Sequence, residues 1–301
     1  MKSPGLGLLL SVILWGEPHV LKAPQLPPPP PVKEEGWTLV TALVGNVDED
    51  PDLEYLVVLR AMPRDANAED GVRLRFFDFD PESRTWMPTE ITNESQESES
   101  RLFPPETTVT LEDITHDGRA EIIIRSRKPA ESPGQAQGLT ILTKQGRYLR
   151  QLFASWEGAP ELRDLDGDRI MEIVLYAEYV GPLSPEDAVL YPAQVFAYEE
   201  GVFRRAPPLR YAAHFVEMAK AARAAYEAFK RQWNSQPEAE HDPRKLFRSI
   251  AHVLLLYRAS EDTEGMRTYY LAERSWLRAQ LPPAYLQALD DLLTPQASLR
   301  R

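Results

Sequence analysis

Asp164-Leu165-Asp166-Gly167-Asp168-Arg169-Ile170-Met171-Glu172, followed at once by Ile173-Val174-Leu175-Tyr176, is the stretch that decides how the chain is read. Oxygen-bearing side chains stand at positions 1, 3, 5 and 9 of a nine-residue loop. Alternate acidic residues converge only if the backbone turns tightly, and a hard cation such as calcium, which takes about 6–8 oxygens, is the usual reason to gather them. The β-branched run behind the loop reads as a buried strand. The competing reading is an acidic turn between strands, held by Asx-type hydrogen bonds with no ion.

The loop occurs three times. Asn46-Val47-Asp48-Glu49-Asp50-Pro51-Asp52-Leu53-Glu54 precedes Tyr55-Leu56-Val57-Val58, and Asp113-Ile114-Thr115-His116-Asp117-Gly118-Arg119-Ala120-Glu121 precedes Ile122-Ile123-Ile124. Position 2 is apolar each time (Val47, Ile114, Leu165), as is position 8 (Leu53, Ala120, Met171). Each copy then carries a second strand, a turn and an aromatic: Phe76–Phe79 with Trp86, Leu139–Leu142 with Tyr148, Gln194–Tyr198 with Phe203. Successive loops start 67 and then 51 residues apart, the pattern of one supersecondary unit with variable connectors.

On these residues the stretch 37–206 resembles the FG-GAP/VCBS repeat family, whose calcium-loop blades also build integrin α-subunit propellers and read Asp-x-Asp-x-Asp-Gly-x-x-Asp. The resemblance implies Ca2+ ligands at Asp164, Asp166, Asp168 and Glu172 in the third loop. In the second it implies Asp113, Thr115, Asp117 and Glu121, and in the first Asn46, Asp48, Asp50 and Glu54. Main-chain carbonyls of Ile170, Arg119 and Asp52 would add to them. Three departures stand out. Pro51 and Arg169 replace glycine at position 6, where only Gly118 is retained. Proline cannot take positive φ, and arginine there costs roughly 1 kcal/mol relative to glycine. Glutamate replaces aspartate at position 9 throughout, where it suits a brace as well as a ligand.

The expected fold class is β plus α: three four-stranded antiparallel, propeller-blade-like repeats followed by a C-terminal α-helical domain. Three blades fall below the usual minimum of four for a ring. An open arc capped by the helices is the preferred resolution, beside two chains completing a ring by self-association and a small non-propeller β domain. The helical docking is expected to cover an exposed edge strand.

The expected domains are a signal peptide or N-terminal anchor over 1–22, a proline-rich linker over 23–36, the β repeats over 37–206 and helices over 207–301. Leu6 to Trp15 is apolar but shorter than the about 20 residues a bilayer demands, and its length suits a signal-peptide core. Pro27 to Pro31 form a stiff spacer. Asn93 to Ser100 reads as a solvated loop between units, and Gly181 to Asp187 as an excursion within the third. Beyond Pro208 the spacing becomes helical: Tyr211, Phe215, Met218, Ala222, Ala225, Phe229 and Trp233 form one stripe. Further helices are expected from Asp242-Pro243, from Thr263 to Gln280, and from Pro283 to Leu293.

A net charge of −12 speaks against a nucleic-acid surface, and the absence of cysteine excludes disulfides, thiolate metal sites and cysteine catalysis. No Gly-x-Ser-x-Gly elbow, P-loop or His-Glu-x-x-His occurs. The expectation is an exported, extracytoplasmic, non-enzymatic calcium-binding module for a protein or glycan, touching membrane only through an N-terminal anchor. The alternative is a metal-dependent hydrolase of phosphate esters or glycans.

Overall fold

The computed structural model describes residues 34–50, 52–62, 70–80, 82–89, 102–127, 137–156 and 158–294. The expected signal or anchor, most of the proline linker, Pro51 and the Asn93–Ser100 loop lie outside the described residues. Twelve strands form three antiparallel sheets, each ordered as in the chain. The first holds β1 (Trp37–Gly45), β2 (Glu54–Ala61), β3 (Val72–Asp80) and β4 (Thr85–Thr89). The second holds β5 (Glu106–Glu112), β6 (Glu121–Arg127), β7 (Gln137–Gln145) and β8 (Tyr148–Ser155). The third holds β9 (Ala159–Arg163), β10 (Glu172–Tyr179), β11 (Val189–Glu199) and β12 (Val202–Arg205). The acidic loops join the first two strands of each sheet, so every position-9 glutamate opens the second strand.

Alternation along those second strands explains how the sheets stack. Successive side chains of a strand face opposite sides. Ile122 and Ile124 enter a cluster with Leu56, Val58 and Phe76 of the first sheet. Ile123, between them, enters one with Ile173, Leu175 and Phe203 of the third. A strand buried on both faces needs an unbroken apolar run rather than alternation, and the isoleucine triplet supplies it. Each such side chain contributes about 1.5–3 kcal/mol on burial. The outward face of the first sheet carries its own aromatic layer: Trp86 lies 5.3 Å from Tyr55 and 5.2 Å from Phe79.

Helices α1 (Ala212–Ser235), α2 (Pro243–Ala259), α3 (Thr263–Gln280) and α4 (Pro283–Leu292) follow. The Asp242 carboxylate caps α2 by accepting from the Arg244 amide, with Pro243 in the first turn. The stripe on α1 differs from the expected one: Ala225 is exposed, whereas Ala219 and Tyr226 are buried. Tyr226 enters the core because its hydroxyl finds the Glu273 carboxylate at 3.0 Å. The helices share a core with Val189 and Tyr191 of the third sheet, while Tyr211 and Phe215 pack on Val195 and Ala197. This overturns the expected covering of an edge: α2 packs on β11, an interior strand, so the helices cover a face. The apolar surplus of the last sheet lies on that face, while its edges β9 and β12 are short. The Gly181–Asp187 excursion also docks on α2, with Glu186 bridged to Arg244 at 2.8 Å.

Candidate metal centres in three repeated loops

The three loops are built on one hydrogen bond. In each, the position-9 carboxylate reaches back to the amide of position 2: Glu54 accepts from Val47 at 2.7 Å, Glu121 from Ile114 at 3.0 Å, and Glu172 from Leu165 at 2.8 Å. All three glutamates are at most 2% exposed. Burial pushes the carboxyl groups of Glu54 and Glu121 up to about 7 and raises that of Glu172, against the opposing pull of these amide bonds. Second oxygens are used as well. Thr115 donates to Glu121 at 3.1 Å, and Tyr211, in the turn before α1, donates to Glu172 at 3.0 Å.

Asx-type bonds shape the rest. Asp164 accepts from the amides of Gly167 and Arg169, and Asp113 from those of Asp117 and Gly118. Asp168 accepts from Ile170 at 2.8 Å, Asp117 from Arg119 at 2.9 Å, and Asp50 from Asp52 at 2.9 Å. Asn46, lacking a second carboxylate oxygen, instead donates to the Asp50 carbonyl at 3.0 Å. The second and third loops turn left-handed twice, at position 4 (His116, φ 57°; Gly167, φ 84°) and at position 6 (Gly118, φ 88°; Arg169, φ 74°). The glycine is thus displaced by two positions in the third loop, and Arg169 carries the strain. Adjacent loops are stitched together: Ala120 donates its amide to the Asn46 carbonyl and Met171 to that of Ile114, both at 2.8 Å.

What separates the loops is the cation each already holds. In the first, Lys144 of β7 is fully buried, bonded to Asp48 and 3.1 Å from Asp78. Burial works against its charge, and the two carboxylates outweigh that, holding the ammonium above the usual lysine value. In the second, Arg119 clasps Asp117 at 2.5 Å and lies 3.8 Å from Glu49. In the third, among the described residues, no lysine or arginine makes a salt bridge to Asp164, Asp166 or Asp168, all exposed; Arg210, bonded to Glu199, acts on Asp166 only through its charge. The structure brings Asp164, Asp166 and Glu172 together, one oxygen from each lying within 4.8 Å of the others, and leaves Asp168 outside that group. Asp48, Asp50 and Glu54 form an equivalent group around the lysine loop. Among the described residues the acids Asp113, Asp117 and Glu121 form none. The third loop thus gathers its carboxylates and the second does not.

Lys144 is not among the residues the sequence singles out, and Tyr211 enters there only as part of the apolar stripe. Lys144 faces Leu149 across its hairpin, the place held by Phe79 opposite Trp86 and by Tyr198 opposite Phe203 in the other sheets. A single charge in an aromatic position of an apolar strand was the available signal.

A groove of about 690 Å³ lies elsewhere. Lys245, Arg248, Ser249 and His252 line it from α2, Glu178 and Glu186 from the third sheet and its excursion, and Phe229 from α1. Among the described residues Lys245 and Arg248 have no acidic partner. Burial lowers the pKa of His252. Glu178 stands six residues along β10 from Glu172, about 20 Å at strand rise, so groove and loop occupy opposite ends of the sheet.

No family model matches the chain, and no curated protein does. Two solved structures are similar over 56% of the chain at 14% identity. They are the exotype rhamnogalacturonan lyase YesX (TM-score 0.28, 32% of that chain) and the Bacillus licheniformis rhamnogalacturonan lyase PL11 (TM-score 0.29, 33% of that chain). The matched region thus spans about a third of each enzyme, and at these scores the likeness carries no argument. Among the described residues no helix is long and apolar enough to cross a membrane.

Proposed function

We propose that the chain is an exported, non-enzymatic interaction module of the FG-GAP/VCBS kind, in which the third loop binds one Ca2+ that stiffens the joint between the third sheet and the helices. The observation that carries this reading is the contrast among the loops: among the described residues the carboxylates of Asp164 and Asp166 are gathered with no cation bonded to them, whereas Lys144 and Arg119 are bonded in the other two. Asp164, Asp166 and Glu172 would supply oxygens, with Asp168 and the Ile170 carbonyl completing the shell. Sites on extracellular modules of this type bind calcium at about 10⁻⁴–10⁻³ M. The ion is structural in this reading, since the groove that would meet a partner is at the far end of the sheet. Lys245 and Arg248, without an acidic partner among the described residues, suit an anionic group on a protein or glycan, and Phe229 offers an apolar surface beside them.

Thermal melts with calcium and with chelator test the proposal. Saturation at a hundred times Kd stabilises by about 2.7 kcal/mol, and Asp164→Ala should abolish the difference. An identical melt in both conditions returns the loop to an acidic turn. Hydrolysis of a phosphodiester or glycan that disappears with Asp164→Ala would favour the enzymatic alternative.

A further inference from the structure

The first loop gathers Asp48, Asp50 and Glu54 as the third gathers its own acids, but a cation already sits among them. We infer that Lys144 is the resident cation of the first loop, an ammonium delivered by the second sheet in place of a divalent metal, and that removing it opens a latent calcium site. Lys144 is 1% exposed and Asp48 4% exposed, so neither charge has water to turn to. A buried ammonium persists only when carboxylates surround it, and Asp48 and Asp78 do so.

The topology explains the delivery. The strand position that Lys144 occupies lies over the preceding unit's loop. In the third sheet the same position is Tyr198, which feels the charges of Glu121, Asp117 and Arg119 in the second loop. No sheet follows the third loop, and Tyr211 arrives there instead with a neutral hydroxyl. Among the described residues only the first loop is therefore supplied with an ammonium from its neighbour. The ammonium occupies an Asp48 oxygen that a divalent ion would need and repels that ion at close range. One further oxygen stands ready: Asn46 Oδ1 is buried and has no hydrogen-bond partner.

The test is calcium stoichiometry by titration calorimetry on the full chain, for wild type, Lys144→Met, Asp164→Ala and the double variant. The inference shares the calcium reading of the loop with the proposal above but does not need the third loop to be filled. Lys144→Met is expected to bind one more ion than wild type, and the double variant to keep that ion. No added ion in Lys144→Met overturns the inference. A wild type that binds none beside a Lys144→Met that binds one would sink the third-loop reading and leave this one standing. If Lys144→Met does not fold, the native protein decides. The ¹H–¹⁵N signal of the Lys144 ammonium should stay unmoved through saturation with calcium, and its displacement would overturn the inference.

Discussion

Replacing Glu121 by glutamine tests the buried braces directly. The side chain is 2% exposed, accepts from Ile114 and Thr115, and holds its proton up to about pH 7 because burial penalises the carboxylate. Its folded value lies above the 4.5 of an ordinary glutamate, so between those two pH values the folded state binds the extra proton. Stability from this group is therefore fully present below about pH 4.5 and falls as pH rises to about 7. The difference of about 2.5 pH units corresponds to about 3 kcal/mol at 1.36 kcal/mol each. Glutamine keeps an amide oxygen for Ile114 and turns its NH2 to the Thr115 hydroxyl, yet it has no proton to lose. Urea unfolding in chelator, at steps from pH 4 to pH 8, should show Glu121→Gln gaining on wild type by up to about 3 kcal/mol across that window. Charges elsewhere cancel in the comparison. A gap between the two proteins that stays constant with pH, or widens in wild type's favour, would refute the burial argument.

Other outcomes follow from the same geometry. Tyr211→Phe leaves the Glu172 carboxylate short of a donor and should cost about 1–3 kcal/mol in urea unfolding; unchanged stability would mean the hydroxyl is dispensable. Arg169→Gly relieves a left-handed arginine and should raise the melting temperature by up to about 2 °C, since the conformational gain of roughly 1 kcal/mol is partly offset by the added chain entropy. A lower melting temperature would place the strain elsewhere. Charge reversal at Lys245 and Arg248 together should abolish calorimetric binding of a small carboxylated oligosaccharide while leaving the calcium response intact; retained binding would remove the groove from the account.

Much of this fold could be read in the chain because the repeat is written twice over, in the acids of the loops and in the apolar runs behind them. The apolar runs behind the loops, Ile122 to Ile124 among them, read as buried strands from the sequence, and the structure adds that this one is buried on both faces. Asp242-Pro243 marked the start of α2 because a cap and a first-turn proline are local chemistry. The stripe on α1 was harder: Tyr226 looks amphipathic in sequence and is buried only because Glu273, 47 residues on, receives its hydroxyl. The candidate site shows the same divide. Asp164, Asp166 and Glu172 converge through hydrogen bonds within their own loop, which spacing reveals. Lys144 comes to Asp48 from 96 residues away, and the register of a different sheet puts it there. Loop chemistry is local, whereas the identity of the cation in each loop is tertiary.

The most direct measurement is a calorimetric calcium titration of the full chain beside Asp164→Ala and Asp117→Ala. One ion per wild-type chain is expected, lost in Asp164→Ala and kept in Asp117→Ala, because Arg119 already satisfies the second loop. Calcium retained by Asp164→Ala, or lost in Asp117→Ala, would contradict the assignment of the ion to the third loop.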